Sequence, residues 1–312
     1  MNRPGATLIE VLVAIFIMAI GLLTLLTLFP LGALNMAQAI QDDRAAVAAA
    51  NAMALAAARN LRNDPVVVGT DYDHFVWGSG NGSPAARNHH RSYPVYVDPF
   101  GRILGSFTLA DLPGGIPRQT VSWLTPSGDF SPQYQTTING FSVQDDIKFI
   151  TQGSHQGLPT RNPNWDVVER SGKFSWAYLL TRPMTADPTV VDLAVVVYSG
   201  RLVQYPLQET PYFPVTFNPN SPLVHVPWDP ATQEKPPIRK GSWILDASLP
   251  ADTNENPHGF FYRVAAVTDE SPTSVLVELQ QKPRNPVTVT NGTLIVMENV
   301  VEVFEKGIGW KP

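Results

Sequence analysis

Between Glu10 and Asp42 the chain carries no charged residue. As a helix, the apolar stretch Val11–Leu34 rises about 36 Å, enough to cross a hydrocarbon layer of about 30 Å with some tilt. A secretory signal peptide has a shorter apolar region followed by a small-residue cleavage site. Ala37-Gln38-Ala39 offers small residues for such a site, but the run before it is too long and holds Glu10 near its start. A plain membrane anchor accounts for the length and leaves the carboxylate unexplained. A charge inside an apolar span costs at least about 2.5 kcal/mol at the bilayer centre and less near its end. An intramembrane glutamate is therefore expected to have a partner and a role.

The residues around that glutamate, Gly5-Ala6-Thr7-Leu8-Ile9-Glu10-Val11, resemble the processing site of type IV pilins and of the pseudopilins of type II secretion. The resemblance implies that a prepilin peptidase cuts between Gly5 and Ala6 and methylates the new amine. It also implies that Glu10 pairs with the N-terminal amine of a neighbouring subunit. The family most often begins its mature chain with Phe or Met, and this chain departs from that with Ala6. The continuation Ile9–Leu23 is most similar to minor members, the pilus-modification minor pilins and the I-type pseudopilins. The implied function is that of a structural filament subunit, not an enzyme, with no cofactor. Its implied partners are the peptidase, other pilin or pseudopilin subunits and the inner membrane. The alternative is a membrane-anchored β-rich binding protein that enters no filament; it differs in that changes at Gly5 and Glu10 would be tolerated.

Charge supports this reading. Arg3 and the amino terminus precede the span, while Asp42, Asp43 and Arg44 follow it. The positive-inside bias then leaves the N-terminus in the cytoplasm and the remainder outside, in the periplasm. An amine and a carboxylate at the membrane edge neutralise each other where each alone is costly. Over the whole chain the net charge of −5 and pI near 5.7 give no electrostatic attraction for nucleic acid. Cysteine is absent, which excludes a disulfide framework and a thiolate metal site.

Along the chain, the expected plan is a leader at 1–5, a membrane half of the first helix at 6–35 and an exported half at 36–62. A β-rich pilin-like ectodomain follows at 63–204, then a Pro-rich linker at 205–237 and a small all-β module at 238–312. The fold class is α+β, a long helix laid on an antiparallel sheet. Pro30 and Gly32 predict a kink or local melting of the first helix; alternatively, Pro30 ends it and a second helix begins. The Ala-rich 36–62 segment reads as helix up to Asn63-Asp64-Pro65. Ile40, Val47, Ala54 and Leu61 recur every seven residues and predict the stripe that packs on the subunit's own sheet.

The clearest strands are Phe174–Thr181 and Val190–Tyr198, read as a hairpin, the second central because it is apolar on both faces. Shorter runs at Tyr93–Val97, Ile103–Leu109 and Asp145–Thr151 precede them. The nine prolines within 205–237 predict a surface arm without ladder hydrogen bonds. Beyond it, Ser242–Ala247, Phe260–Thr268, Ser274–Gln280, Val287–Thr290, Thr293–Met297 and Val300–Phe304 read as strands. Asn291-Gly292 is a hairpin-turn signal.

Motifs for catalysis are missing: no G-x-S-x-G, S-x-x-K, H-E-x-x-H or P-loop occurs. Gly78-Ser-Gly80-Asn-Gly82 lacks the lysine and helix entry of a phosphate loop. Asp71, Asp73 and Asp145-Asp146 do not complete a calcium loop, and the adjacent pair His89-His90 does not make a metal site, so no metal is expected. Trp165, Trp176, Trp228, Trp243 and Trp310 have the chemistry to line a carbohydrate or peptide groove, but core packing is the simpler expectation.

Overall fold

The computed structural model describes residues 8–64, 66–67, 94–100, 112–116, 118–124, 134–143, 147–149, 168–170, 173–181, 191–201, 210–248, 258–285 and 288–310. The chain divides into two units, Met1–Arg44 and Ala45–Pro312. It is α+β, a long N-terminal helix followed by antiparallel sheets.

Helix α1 (Leu8–Ala58) supplies the described part of the first unit and the start of the second. Leu, Ile, Met and Ala dominate it, and all but one are strong helix formers. It runs through Pro30 and Gly32 without a break. Local melting is therefore absent, as is a helix boundary at Pro30. A proline removes one ladder hydrogen bond, and the turns on either side stay closed. Within the first unit Thr24 satisfies its hydroxyl by donating to the Ile20 carbonyl at 2.8 Å.

The helix ends at Ala58, before the expected Asn63, because Asn60 takes the left-handed conformation at φ 47°. Asparagine tolerates that region better than most side chains. A 3-10 turn at Leu61–Asn63 follows. The buried carboxylate of Asp64 then accepts from the amides of Val66 (2.9 Å) and Val67 (3.3 Å) and from the Ser122 amide (3.0 Å) and hydroxyl (2.6 Å). One side chain thus closes the helix exit onto a segment far along the chain.

In the second unit a five-stranded sheet has the order β13-β6-β5-β1-β2, formed by β1 (Val95–Val97), β2 (Arg118–Gln119), β5 (Phe174–Thr181), β6 (Val191–Ser199) and β13 (Val300–Trp310). Its pairs are antiparallel except β1–β2. The expected β5–β6 pairing is present, and β6 is interior, as its two apolar faces require. A short helix α2 (Tyr134–Phe141) and a separate two-stranded ladder, β3 (Ile147–Phe149) with β4 (Val168–Arg170), complete this half.

One face of the sheet shares a core with α1, and the helix residues in it are Ala45, Ala48, Ala49, Ala52 and Ala56. The seven-residue stripe therefore needs correcting. Ile40 and Val47 are 52% and 42% exposed, Ala54 is exposed, and only Leu61 of that set is buried. The reason is volume. The sheet contributes Trp176, Tyr178 and Leu193 to the core, with Phe100 just past β1; a buried face of methyl groups, with Met53 and Leu55 packed at its margin, lets the helix approach side chains that large. The i, i+3, i+4, i+7 spacing is helical, but the buried stripe is made of the smallest apolar side chains and not of the larger ones.

Tyr178 fixes the contact. Its hydroxyl donates to the Ala52 carbonyl at 2.8 Å and accepts from Trp176 Nε1 at 3.1 Å. Tyr178→Phe leaves a buried indole N–H without its acceptor and is expected to cost about 1–2 kcal/mol in chemical denaturation of the full chain.

The second sheet has six antiparallel strands in the order β7-β12-β9-β10-β11-β8. They are β7 (Tyr212–Phe217), β8 (Leu223–Pro227), β9 (Trp243–Asp246), β10 (Phe260–Ser271), β11 (Ser274–Leu279) and β12 (Val289–Met297). The end strands β7 and β8 lie side by side, so the sheet curls around a core that includes Phe217, Val226, Ile244, Tyr262, Val277 and Leu294, one from each strand. On β11, Val275, Val277 and Leu279 point inward as their alternation predicts.

Three expectations change here. The Pro-rich segment is not a linker: β7 and β8 form ladders with β12 and β11. Pro214 and Pro227 are accommodated because both strands stand at the ends of the sheet, where a missing donor is tolerated. Asn291-Gly292 is not a hairpin turn but an irregularity inside β12, with Asn291 at φ 58° and a register shift between Val289 and Gly292. Glycine is needed there because a Cβ would lie 2.3 Å from Ser248 Oγ. The last strand, finally, leaves the C-terminal module: β13 pairs with β6. An interior strand needs a neighbour on each side, and β13 supplies the second. A shared core joins the two sheets, including Ala177, Leu179 and Val196 from the first and Leu245, Phe261 and Ile295 from the second.

Candidate functional site

Gly5, Ala6, Asp71, Asp73, the 78–82 turn, His89-His90, Ile103–Leu109 and Asp145-Asp146 lie outside the described residues. Glu10 lies in the first turn of α1 and is exposed. The partial positive charge of a helix N-terminus favours a carboxylate there. From Leu8 onward the described apolar side chains of the first unit are exposed, Leu8 by 78%, Phe16 by 66% and Phe29 by 80%. An 18-residue window of this helix has a mean hydropathy of 2.8 with none of it buried. Such a surface in water would exceed what soluble monomers tolerate. It fits a lipid or helix-lined environment. Pro30 and Gly32 lie about 30 Å along the helix from Glu10 and form no joint site with it.

In the second unit the structure assembles a charged cluster that no sequence motif announces. Tyr96 on β1 and Tyr198 on β6 share a hydrogen bond between their hydroxyls. Asp98, just after β1, is fully buried and accepts from both Nη atoms of Arg201, at 2.8 and 2.5 Å. Arg118 on β2 brings its Nε within 3.7 Å of the same carboxylate. The Arg201 guanidinium also lies 4.3 Å from the centre of the Tyr198 ring, a cation–π distance.

Burial opposes the charge on Arg201, but the Asp98 carboxylate, through its charge and its hydrogen bonds, together with the Tyr198 and Tyr96 hydroxyls, outweighs it and holds the guanidinium's pKa above its ordinary value. Burial is the main reason that the hydroxyls of Tyr96, Tyr178, Tyr198 and Tyr262 titrate above the ordinary tyrosine range. The folded state therefore holds these protons more tightly than the unfolded chain. Its stabilisation from them is complete below the unfolded pKa of about 10 and is lost as pH rises through the folded values. Absorbance at 295 nm should show these four of the nine tyrosines ionising only together with unfolding.

Of the tryptophans singled out above, Trp165 and the Trp310 side chain lie outside the described residues, and the others are packing groups. Trp176 is buried in the helix–sheet core, and Trp228 and Trp243 are partly buried against the two other cores. Among the described residues, no three His, Cys, Asp or Glu side chains are grouped to hold a metal.

Residues 1–26 match the family model described as the prokaryotic N-terminal methylation motif. The match covers residues 1–26, and it is the motif that type IV pilin-like and pseudopilin precursors carry. The motif implies processing by prepilin peptidase and association with other subunits through the N-terminal helix. No curated protein matches the chain. Among solved structures, the phage phi92 endosialidase is 12% identical over 44% of this chain and 19% of its own, with a TM-score of 0.19, and so weak a likeness carries no argument.

Proposed function

We propose that the protein is a minor pilin or pseudopilin. It is cleaved after Gly5 and held in the inner membrane by the first half of α1, with its β-rich unit on the periplasmic side. It joins a type IV pilus or type II secretion pseudopilus through the same helix. The observation that carries the reading is the methylation motif at residues 1–26 continuous with an apolar helix whose side chains are exposed. Glu10 pairs with the mature amine of the next subunit and sets the register between them. Pro30 and Gly32 mark the place where the helix bends within the fibre. The alanine face that packs on the sheet leaves Val47 exposed, where it is available to neighbouring helices in a pilin-like arrangement. Members of this family are structural subunits, and an enzymatic role is not proposed.

Glu10→Ala is expected to remove the protein from purified filaments while leaving its membrane level and its cleavage unchanged. Equal incorporation of the variant, read by immunoblot of sheared filaments, would reject the assembly role of Glu10.

A further inference from the structure

Beside the buried charge cluster lies a cavity of about 60 Å³ that opens between the two sheets. Its walls come from Tyr96, Arg118, Tyr198 and Arg201 on the first sheet's side, and from Thr210 and Glu298 on the second's. By the space a water needs, this is room for roughly four waters, an occupant of about four to six non-hydrogen atoms and no nucleotide or oligosaccharide.

The inner wall offers donors. A guanidinium has five N–H groups, and Asp98, which sits behind Arg201 and does not line the cavity, takes two of those of Arg201. In the Tyr96–Tyr198 pair one hydroxyl donates to the other, and the one that accepts keeps its own proton to give. Burial raises both phenols, so they remain donors at neutral pH. Arg118 and Arg201 are 5% and 7% exposed, held in place before anything binds. The acidic member of the lining, Glu298, is solvent-exposed at the rim, where water screens it. Leu112 and Met297 add an apolar patch. Fixed donors, two guanidiniums and a small apolar patch match an acceptor-only group with a short hydrocarbon tail.

We infer that this cavity binds a small free carboxylate, a two- to three-carbon acid anion, between Arg118, Arg201 and the tyrosine hydroxyls. No residue of α1 lines the site, and the inference does not depend on the filament reading.

The test is titration of the full-length chain in detergent micelles with sodium acetate and sodium propionate, against sodium chloride at matched ionic strength. Binding is read by calorimetry and by the shift in melting temperature. Saturable binding at about millimolar concentration is expected, with no comparable response to chloride. Thr210→Trp, at the half-buried mouth, should block the cavity without touching the charge cluster and abolish the response. Arg118→Gln should weaken binding about tenfold or more, the worth of a hydrogen bond to a charged group. Glu298→Gln should tighten it. No saturable response to either acid, an equal response to chloride, or undiminished binding by folded Thr210→Trp protein would overturn the proposal.

Discussion

Asp98→Ala is expected to destabilise the protein by about 3–5 kcal/mol, the cost of leaving a buried charge without its partner. Asp98 is fully buried and takes both Nη atoms of Arg201, itself 7% exposed. Removing the carboxylate leaves two guanidiniums, Arg201 and Arg118, in the place where β1, β2 and β6 converge. The loss should appear as a lower denaturation midpoint for the full chain. The double variant Asp98→Leu with Arg201→Met is the control. It removes both charges of the bidentate pair and should recover a large part of the loss, because an apolar pair of similar volume replaces a buried ion pair at little cost. A double variant as unstable as the single one would mean that the loss comes from packing and not from the stranded charge.

Ala52→Leu is the second large effect, expected to destabilise by up to about 3 kcal/mol through overpacking. Ala52 has no exposed surface, and its carbonyl receives the Tyr178 hydroxyl. Added methyl groups have nowhere to go but into the aromatic side chains below, Trp176 and Tyr178 among them. The helix must then lift off the sheet, and the Tyr178 hydrogen bond breaks with it. Ala54→Leu, two residues on and exposed, is the matched comparison and should change stability by less than about 0.5 kcal/mol. If the two variants unfold alike, the alanine face is not the packing face.

The strongly periodic and strongly apolar parts of this fold were readable in advance. The membrane-length helix follows from the absence of charge between Glu10 and Asp42. The β5–β6 pair follows from two long apolar runs, and the inward face of β11 from alternation at Val275, Val277 and Leu279. Two misreadings share a cause, since local composition does not say where in a sheet a strand lies. Prolines forbid an interior strand and not an end strand, so β7 and β8 were legible only as irregular chain. Asn291-Gly292 prefers a turn, yet the close approach of Ser248 uses the same backbone freedom for an irregularity within β12. The destination of β13 was likewise invisible, because pairing with β6 across about a hundred residues leaves no local mark. The buried cluster of Asp98, Arg118 and Arg201 had no signal at all. Its members are scattered along the chain, and only the strand order brings them together. For the N-terminal motif the opposite holds: residues 1–26 are contiguous, and a linear match suffices to find them, while the roles of Gly5 and Glu10 within it are proposals.

The central claim is that this chain enters the prepilin pathway. The direct measurement is the intact mass and N-terminal sequence of the protein expressed with and without a prepilin peptidase. The account predicts that Met1–Gly5 is lost only when the peptidase is present, that the new N-terminus is Ala6, and that Gly5→Ala blocks the change. A chain that keeps Met1 in the presence of active peptidase, or that is cut near Ala39, would contradict it.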